Sequence, residues 1–129
     1  MHAGDHASKA LGMEVVEVRP GSARLRMSVR RDMLNGHAVC HGGFVFTLAD
    51  STFAHACNSY NRRTLASAAA IEFLMSAREG DVLTAVAQER QRGRRSGIYD
   101  IEVRNGAGEL VALFRGRSVS TDEPLTGAV

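Results

Sequence analysis

The sequence predicts an α+β fold in which one long helix interrupts a series of strands. Two observations carry this expectation. Residues 42–60, GGFVFTLADSTFAHACNSY, contain no proline and place Phe44, Leu48 and Ala56 on one helical row and Val45, Ala49, Phe53 and Cys57 on the next. On both sides of this segment the pattern has a period of two, most cleanly at Ala23, Leu25, Met27 and Val29 against Arg24, Arg26, Ser28 and Arg30.

Taken in order, residues 3–10 suit a short helix, and strands follow at Met13–Arg19 and Ala23–Arg30 around the Pro20-Gly21 turn. Residues 31–41 have no periodicity and read as a loop. The helix carries Asp50 as its only formal charge, so it is expected to be buried along most of its length. Four strands follow, at about 65–77, 81–92, 97–105 and 109–120, with breaks at Gly80-Asp81, Gly93–Gly97 and Asn105–Gly108. The stretch LVALF at 110–114 is apolar throughout, as for an inner strand covered on both faces, and a frayed end is expected after Val119.

A length of 129 residues with 44% hydrophobic and 23% charged residues fits one folded domain, 1–129. All the basic residues except Lys9 are arginine, but 16 bases are interspersed with 14 acids and aromatic content is only 5%, which argues against a nucleic-acid groove. Cys40 and Cys57 form no CxxC motif, and the N-terminus lacks the apolar core of a secretory signal. A cytoplasmic protein without membrane association is expected.

An ionised carboxylate within an apolar helix is costly unless it is paired or near water. Asp50 is therefore either satisfied by hydroxyls such as Thr47, Ser51 or Thr52, or a general base or nucleophile whose surroundings tune it. At the start of the same helix His41-Gly42-Gly43 replaces the usual capping side chain. This leaves backbone N–H groups open to an anion or oxyanion, although for Gly-Gly on its own a flexible turn is the commoner explanation.

Together with Asn35, His37 and His41, this stretch resembles the hotdog-fold acyl-CoA thioesterases, most closely the PaaI family of phenylacetate degradation. The resemblance lies in NGHAVCHGG at 35–43, LAD at 48–50 and FAHACNS at 53–59. It continues in ASAAAIEFL at 66–74, GDVLTA at 80–85, GIYDIEV at 97–103 and VALFRGRS at 111–118. It implies an antiparallel sheet wrapped around the long central helix, homodimers whose sheets join side by side and which often pair into homotetramers, and hydrolysis of an acyl-CoA without metal or organic cofactor. By the same resemblance the Gly42 N–H polarises the thioester carbonyl, and Asp50 is the nucleophile or the base for water. Asn35 and His41 line the pocket, and Ser67 faces the acyl group. A (hydroxy)phenylacetyl-CoA or similar aryl-acyl-CoA is the expected substrate.

Distance adds a constraint. Eight residues separate Gly42 from Asp50, so on one helix they lie about 12 Å apart along the axis, whereas reacting groups must come within roughly 3–3.5 Å. Both can act on one thioester only if Asp50 comes from a second subunit. For the coenzyme phosphates, the turn at 90–97 offers Arg92, Gly93, Arg94 and Arg95, with Arg115 and Arg117 as second choices. The rival readings are a metal site at His37, Cys40, His41 and Asp50, a Cys40 nucleophile, a hotdog dehydratase or hydratase, and a non-catalytic acyl-CoA binder.

Overall fold

Helix α2, Gly42–Cys57, lies along one face of a six-stranded sheet and touches every strand of it. The computed structural model describes residues 2–124. The short helix α1 (His6–Ala10) is followed by β1 (Glu14–Arg19) and β2 (Ser22–Ser28). After α2 come β3 (Arg62–Phe73), β4 (Val82–Arg92), β5 (Ser96–Arg104) and β6 (Leu110–Pro124). The strands pair antiparallel in the order β1-β2-β4-β5-β6-β3, so the expected α+β architecture of a sheet wrapped around one long helix is present.

Alternation sets which face each strand presents. Leu25, Leu83, Ala85 and Ile101 point toward α2 and are fully buried, meeting Leu48 and Phe53 from the helix. Gly116 lets β6 pass directly beneath the Phe53 ring; a Cβ there would stand 2.7 Å from two ring carbons. The charge-poor helix is buried as expected, from Val45 to Cys57.

Four expectations need correction. The helix ends at Cys57, where the chain turns to begin β3 at Arg62; β3 therefore starts earlier than 65 and stops at Phe73. The strand-poor look of Arg62 and Arg63 is offset by pairing with β6, which continues past Val119 as far as Pro124 and pairs there with Arg62. Residues 125–129, part of the expected frayed end, lie outside the described residues. LVALF is an inner strand by pairing, but only its helix-side face is covered in this chain, and Leu113 is 41% exposed.

The two sheet edges differ. On β1 the residues Glu14, Glu17 and Arg19 and a bulge between Val15 and Glu17 guard the edge against further pairing. The edge strand β3 is longer and rich in alanine, with Leu65 and Phe73 each 54% exposed. Helix α2 lies mainly over β2, β4 and β5, so the helix-side face of β3 at Ala69, Ile71 and Phe73 is only partly covered.

Candidate active site

Two adjacent backbone groups at the start of α2 are unoccupied. His41 is the capping residue by position, with φ −58° and ψ 132°, yet its exposed side chain makes no capping bond, and no acid stands in the first turn. Among the described residues neither the Gly42 nor the Gly43 N–H has an acceptor. Both add to the positive end of the helix dipole. A cavity of about 430 Å³ opens there, lined by Cys40, Gly42, Val45, Phe73, Leu74 and Met75 among others. Phe73 was not singled out from the sequence. Its ring lies over Gly42, where a Cβ would stand 3.0 Å from Cζ, and nothing local in the sequence signals that contact.

The preceding loop is held in a hairpin-like shape. Leu34 and Cys40 form an isolated antiparallel bridge, and the His41 N–H donates to the Met33 carbonyl. Asn35 Oδ1 accepts from the N–H groups of His37, at 2.9 Å, and Val39, at 3.4 Å. These bonds support Ala38 in the left-handed region, at φ 60°, which a non-glycine residue adopts only at a cost. The Asn35 side-chain NH2 has no partner among the described residues. Asn35, His41 and Gly42 are thus brought to one end of the molecule.

Asp50 is not brought to them. It sits two turns farther along α2, half-buried, on a stripe with Gly43, Thr47 and Ala54 that faces away from the chain's own sheet, while Phe46 at the stripe's edge packs its ring on Phe114 of β6. The hydroxyls that could have satisfied it are used elsewhere. Thr47 Oγ1 donates to the Gly43 carbonyl at 2.8 Å, Thr52 Oγ1 to the Leu48 carbonyl at 2.7 Å, and Ser51 Oγ shares a 2.7 Å hydrogen bond with Ser8 Oγ. Among the described residues nothing donates to the Asp50 carboxylate. Burial, and then the negative charge of Asp5, push its pKa above the usual carboxylate value.

The arginine turn between β4 and β5 lies near the other end of α2. Arg92 stacks on Tyr60, its guanidinium carbon 3.6 Å from the ring centroid, and the Gly93 N–H donates to the Ser96 carbonyl. The Arg94 carbonyl accepts from Arg62, and Arg95 reaches Asp122 at 3.7 Å. Of Arg92, Arg94 and Arg95, it is Arg94 whose guanidinium has no partner among the described residues. Ser67, exposed at a bulge in β3, donates to the Arg117 carbonyl at 3.1 Å. Arg115 is committed to Asp100 through bonds of 2.6 and 2.9 Å on the sheet face opposite α2. These bonds hold the Asp100 carboxyl below its ordinary range. Neither Gly42 nor Asp50 lines the open groove of about 540 Å³ beside Asp100 and Arg115.

The rival chemistries find little support in this geometry. Burial and the nearby Asp81 raise the Cys40 thiol, the wrong direction for a thiolate nucleophile. Among the described residues no group of three or more His, Cys, Asp or Glu side chains could hold a metal ion. No helix there is long and apolar enough to cross a membrane.

Comparison with known proteins agrees with this layout. Residues 37–112, the span from the glycine loop to β6, match the thioesterase superfamily. The acyl-coenzyme A thioesterase PaaI of Escherichia coli (strain K12) is 46% identical over 127 residues, covering 98% of this chain and 91% of that protein. A putative esterase of Archaeoglobus fulgidus is 37% identical over 123 residues, covering 95% of this chain and 80% of that protein. The solved structure of the E. coli PaaI protein, from the phenylacetic acid degradation operon, superposes with a TM-score of 0.95 over 96% of this chain and 90% of that one. A mutant of the phenylacetic acid degradation protein PaaI from Thermus thermophilus gives 0.88 at 36% identity, over 91% and 100%. With a sheet wrapped around one helix, open N–H groups at that helix's start and relatives matching nearly end to end, the chain belongs to the thioesterase superfamily, in its PaaI family of hotdog-fold acyl-CoA thioesterases.

Proposed function

We propose that this chain hydrolyses an aryl-acetyl-CoA thioester, of the (hydroxy)phenylacetyl-CoA type, in the cytoplasm, at sites each built from two copies of the chain. The observation that carries this reading is the pair of open groups on one helix. Among the described residues the Gly42 N–H lacks an acceptor and the Asp50 carboxylate lacks a donor, and about 12 Å of helix axis separates them. They meet only if a second α2 runs antiparallel to the first, with the two-fold axis near Phe46, midway between residues 42 and 50. The stripe of exposed Gly43 and half-buried Thr47, Asp50 and Ala54 supplies the contact face. The alanine-rich outer edge of β3, which pairs with no further strand among the described residues, supports sheet continuation into the second copy. Dimers pair again into a homotetramer, as the family resemblance implies.

In each site the Gly42 N–H of one subunit donates to the thioester oxygen and stabilises the tetrahedral oxyanion. Asp50 of the other subunit either takes a proton from the attacking water or attacks the carbonyl carbon itself; in both cases the C–S bond breaks and coenzyme A leaves as a thiol after protonation, and in the second case water then cleaves the acyl–Asp50 anhydride to release the acid and restore the carboxylate. The raised pKa brings Asp50 closer to the working pH, which favours proton transfer. Asn35 and His41 line the pocket and orient water and leaving group. The Arg92–Arg95 turn serves the site from the subunit that supplies Asp50. In that subunit the end of α2 at Cys57 lies about 10 Å beyond Asp50, on the side of the partner's Gly42. Coenzyme A release should be followed over a panel of aryl- and alkyl-acyl-CoAs. Turnover fastest on arylacetyl-CoAs supports the reading. Binding without turnover would make the chain an acyl-CoA binder instead, and hydration or dehydration without thiol release would make it a hydratase.

A further inference from the structure

Helix α1 is only five residues long and could not hold its shape alone, yet it is fixed against α2 beside Asp50. The attachment is a relay of hydroxyls. Asp5 Oδ1 accepts from the Ser8 N–H at 3.1 Å, and Oδ2 accepts from Ser8 Oγ at 2.6 Å. Ser8 Oγ is also 2.7 Å from Ser51 Oγ, and Ser8 and Ser51 are 1% and 8% exposed. Ser8 has one hydroxyl proton and gives it to Asp5, so Ser51 must donate to Ser8. The relay starts at Ser51, the residue after Asp50, and runs through Ser8 to the Asp5 carboxylate.

We propose that α1 is a positioning element of this active site, in which Ser8 ties the Asp5 carboxylate to Ser51, the neighbour of Asp50 on α2, and so sets a second carboxylate close to the reacting one. The proposal rests on the assignment of Asp50 made above. The other groups around Asp50 leave Asp5 as the charge that matters. The inward faces of β2, β4, β5 and β6 present Leu25, Ala85, Ile101 and Phe114, which carry no charge. Val15 of β1 and Ile71 of β3 are likewise apolar. Of the titratable groups on or under α2, the Cys57 thiol is pushed up to about 12 by burial and the Tyr99 phenol is driven well above its ordinary value, so both stay neutral. His55 turns Nδ1 to the Ser51 carbonyl at 2.9 Å. His6 and Lys9 lie on the exposed side of α1. Asp5 acts on Asp50 in the direction expected of a like charge, raising its pKa.

Asp5→Asn tests this in the full chain with the relay retained. The amide oxygen still caps Ser8, the amide NH2 donates to Ser8 Oγ, and Ser8 passes its own proton to Ser51, so the link to α2 is kept while the charge is lost. The acid limb of kcat against pH moves to lower pH, and the Asp50 carboxyl carbon, followed by carbon-detected NMR, titrates at lower pH. A purely structural role for Asp5 would change Tm and leave both curves in place. Ser8→Ala, which frees α1 while keeping the charge, moves the same titration in the same direction. If neither variant moves the Asp50 titration, the proposal is overturned. If Asp50→Asn retains full turnover, the active-site assignment fails instead, and the kinetic limb belongs to another group; the NMR titration separates the two failures.

Discussion

Replacing Gly42 by alanine and by proline separates the backbone donor from everything else at the start of α2. In either variant the new Cβ comes 3.0 Å from Phe73 Cζ and 3.2 Å from Cε1. Phe73 is 54% exposed and the contact is with the far end of its side chain, so the ring swings aside in both. The backbone accepts proline as well as alanine. Position 42 is the first helical residue, where proline's fixed φ is suitable and its missing N–H breaks no intrahelical bond. His41, at φ −58° and ψ 132°, already has the extended conformation that a following proline demands. The difference between the variants is one N–H. Loss of one oxyanion donor costs about 10²–10³-fold in kcat, or roughly 2.7–4 kcal/mol of transition-state stabilisation. Thiol release at saturating arylacetyl-CoA should therefore place the proline variant below the alanine variant by that factor, with similar Tm values. Equal kcat values in two folded variants would remove the Gly42 N–H from the chemistry.

Asp50→Ala should lower kcat by at least about 10²-fold in a folded protein, as judged by thiol release and circular dichroism. Asp50→Asn should also raise Tm at neutral pH. Burial and Asp5 hold the folded-state pKa above the unfolded one, so the ionised carboxylate weakens the fold above its folded pKa; that penalty disappears as pH falls below the unfolded value. A Tm gain that persists unchanged in acid would contradict this sign. Replacing Arg92, Arg94 and Arg95 together by alanine should raise KM more than it lowers kcat, less so at high salt, and Arg94→Ala alone should account for most of the change because its guanidinium has no other partner among the described residues. An unchanged KM would remove the turn from the site. Gly116→Ala should cost about 1–3 kcal/mol in denaturant unfolding, since its Cβ meets the enclosed Phe53 ring at 2.7 Å; an unaltered midpoint would mean that the ring relaxes freely.

What was legible in the sequence is what depends on local pattern. Alternation at Ala23–Arg30 gave β2 and its buried face, and the absence of charge around Asp50 gave a buried helix whose start at Gly42 lacks a cap. The turn residues placed the breaks between β4, β5 and β6 to within a residue or so. Long-range contacts were not legible. That β3 begins at Arg62 follows from its pairing with Thr121–Pro124, about sixty residues away, and the packing of Phe73 on Gly42 depends on where β3 ends in space. The arginine turn was recognisable as basic, but its position near the far end of α2 from Gly42 depends on sheet order. Asp5-His-Ala-Ser8 is a local capping pattern that could have been read; its contact with Ser51 could not.

The central claim is that Gly42 and Asp50 act across a subunit boundary, and mixing two inactive variants tests it directly. Gly42→Pro and Asp50→Ala, each folded and each nearly inactive alone, should be combined under conditions where subunits exchange, with heterodimers verified by differential tagging. One site of each heterodimer then joins the intact Gly42 of the Asp50→Ala chain to the intact Asp50 of the Gly42→Pro chain, and the other site carries both defects. Thiol release should rise well above either parent and approach about half the wild-type rate per heterodimer, one of two equivalent sites being restored. Verified heterodimers with no more activity than their parents would show that the two groups do not serve the same thioester.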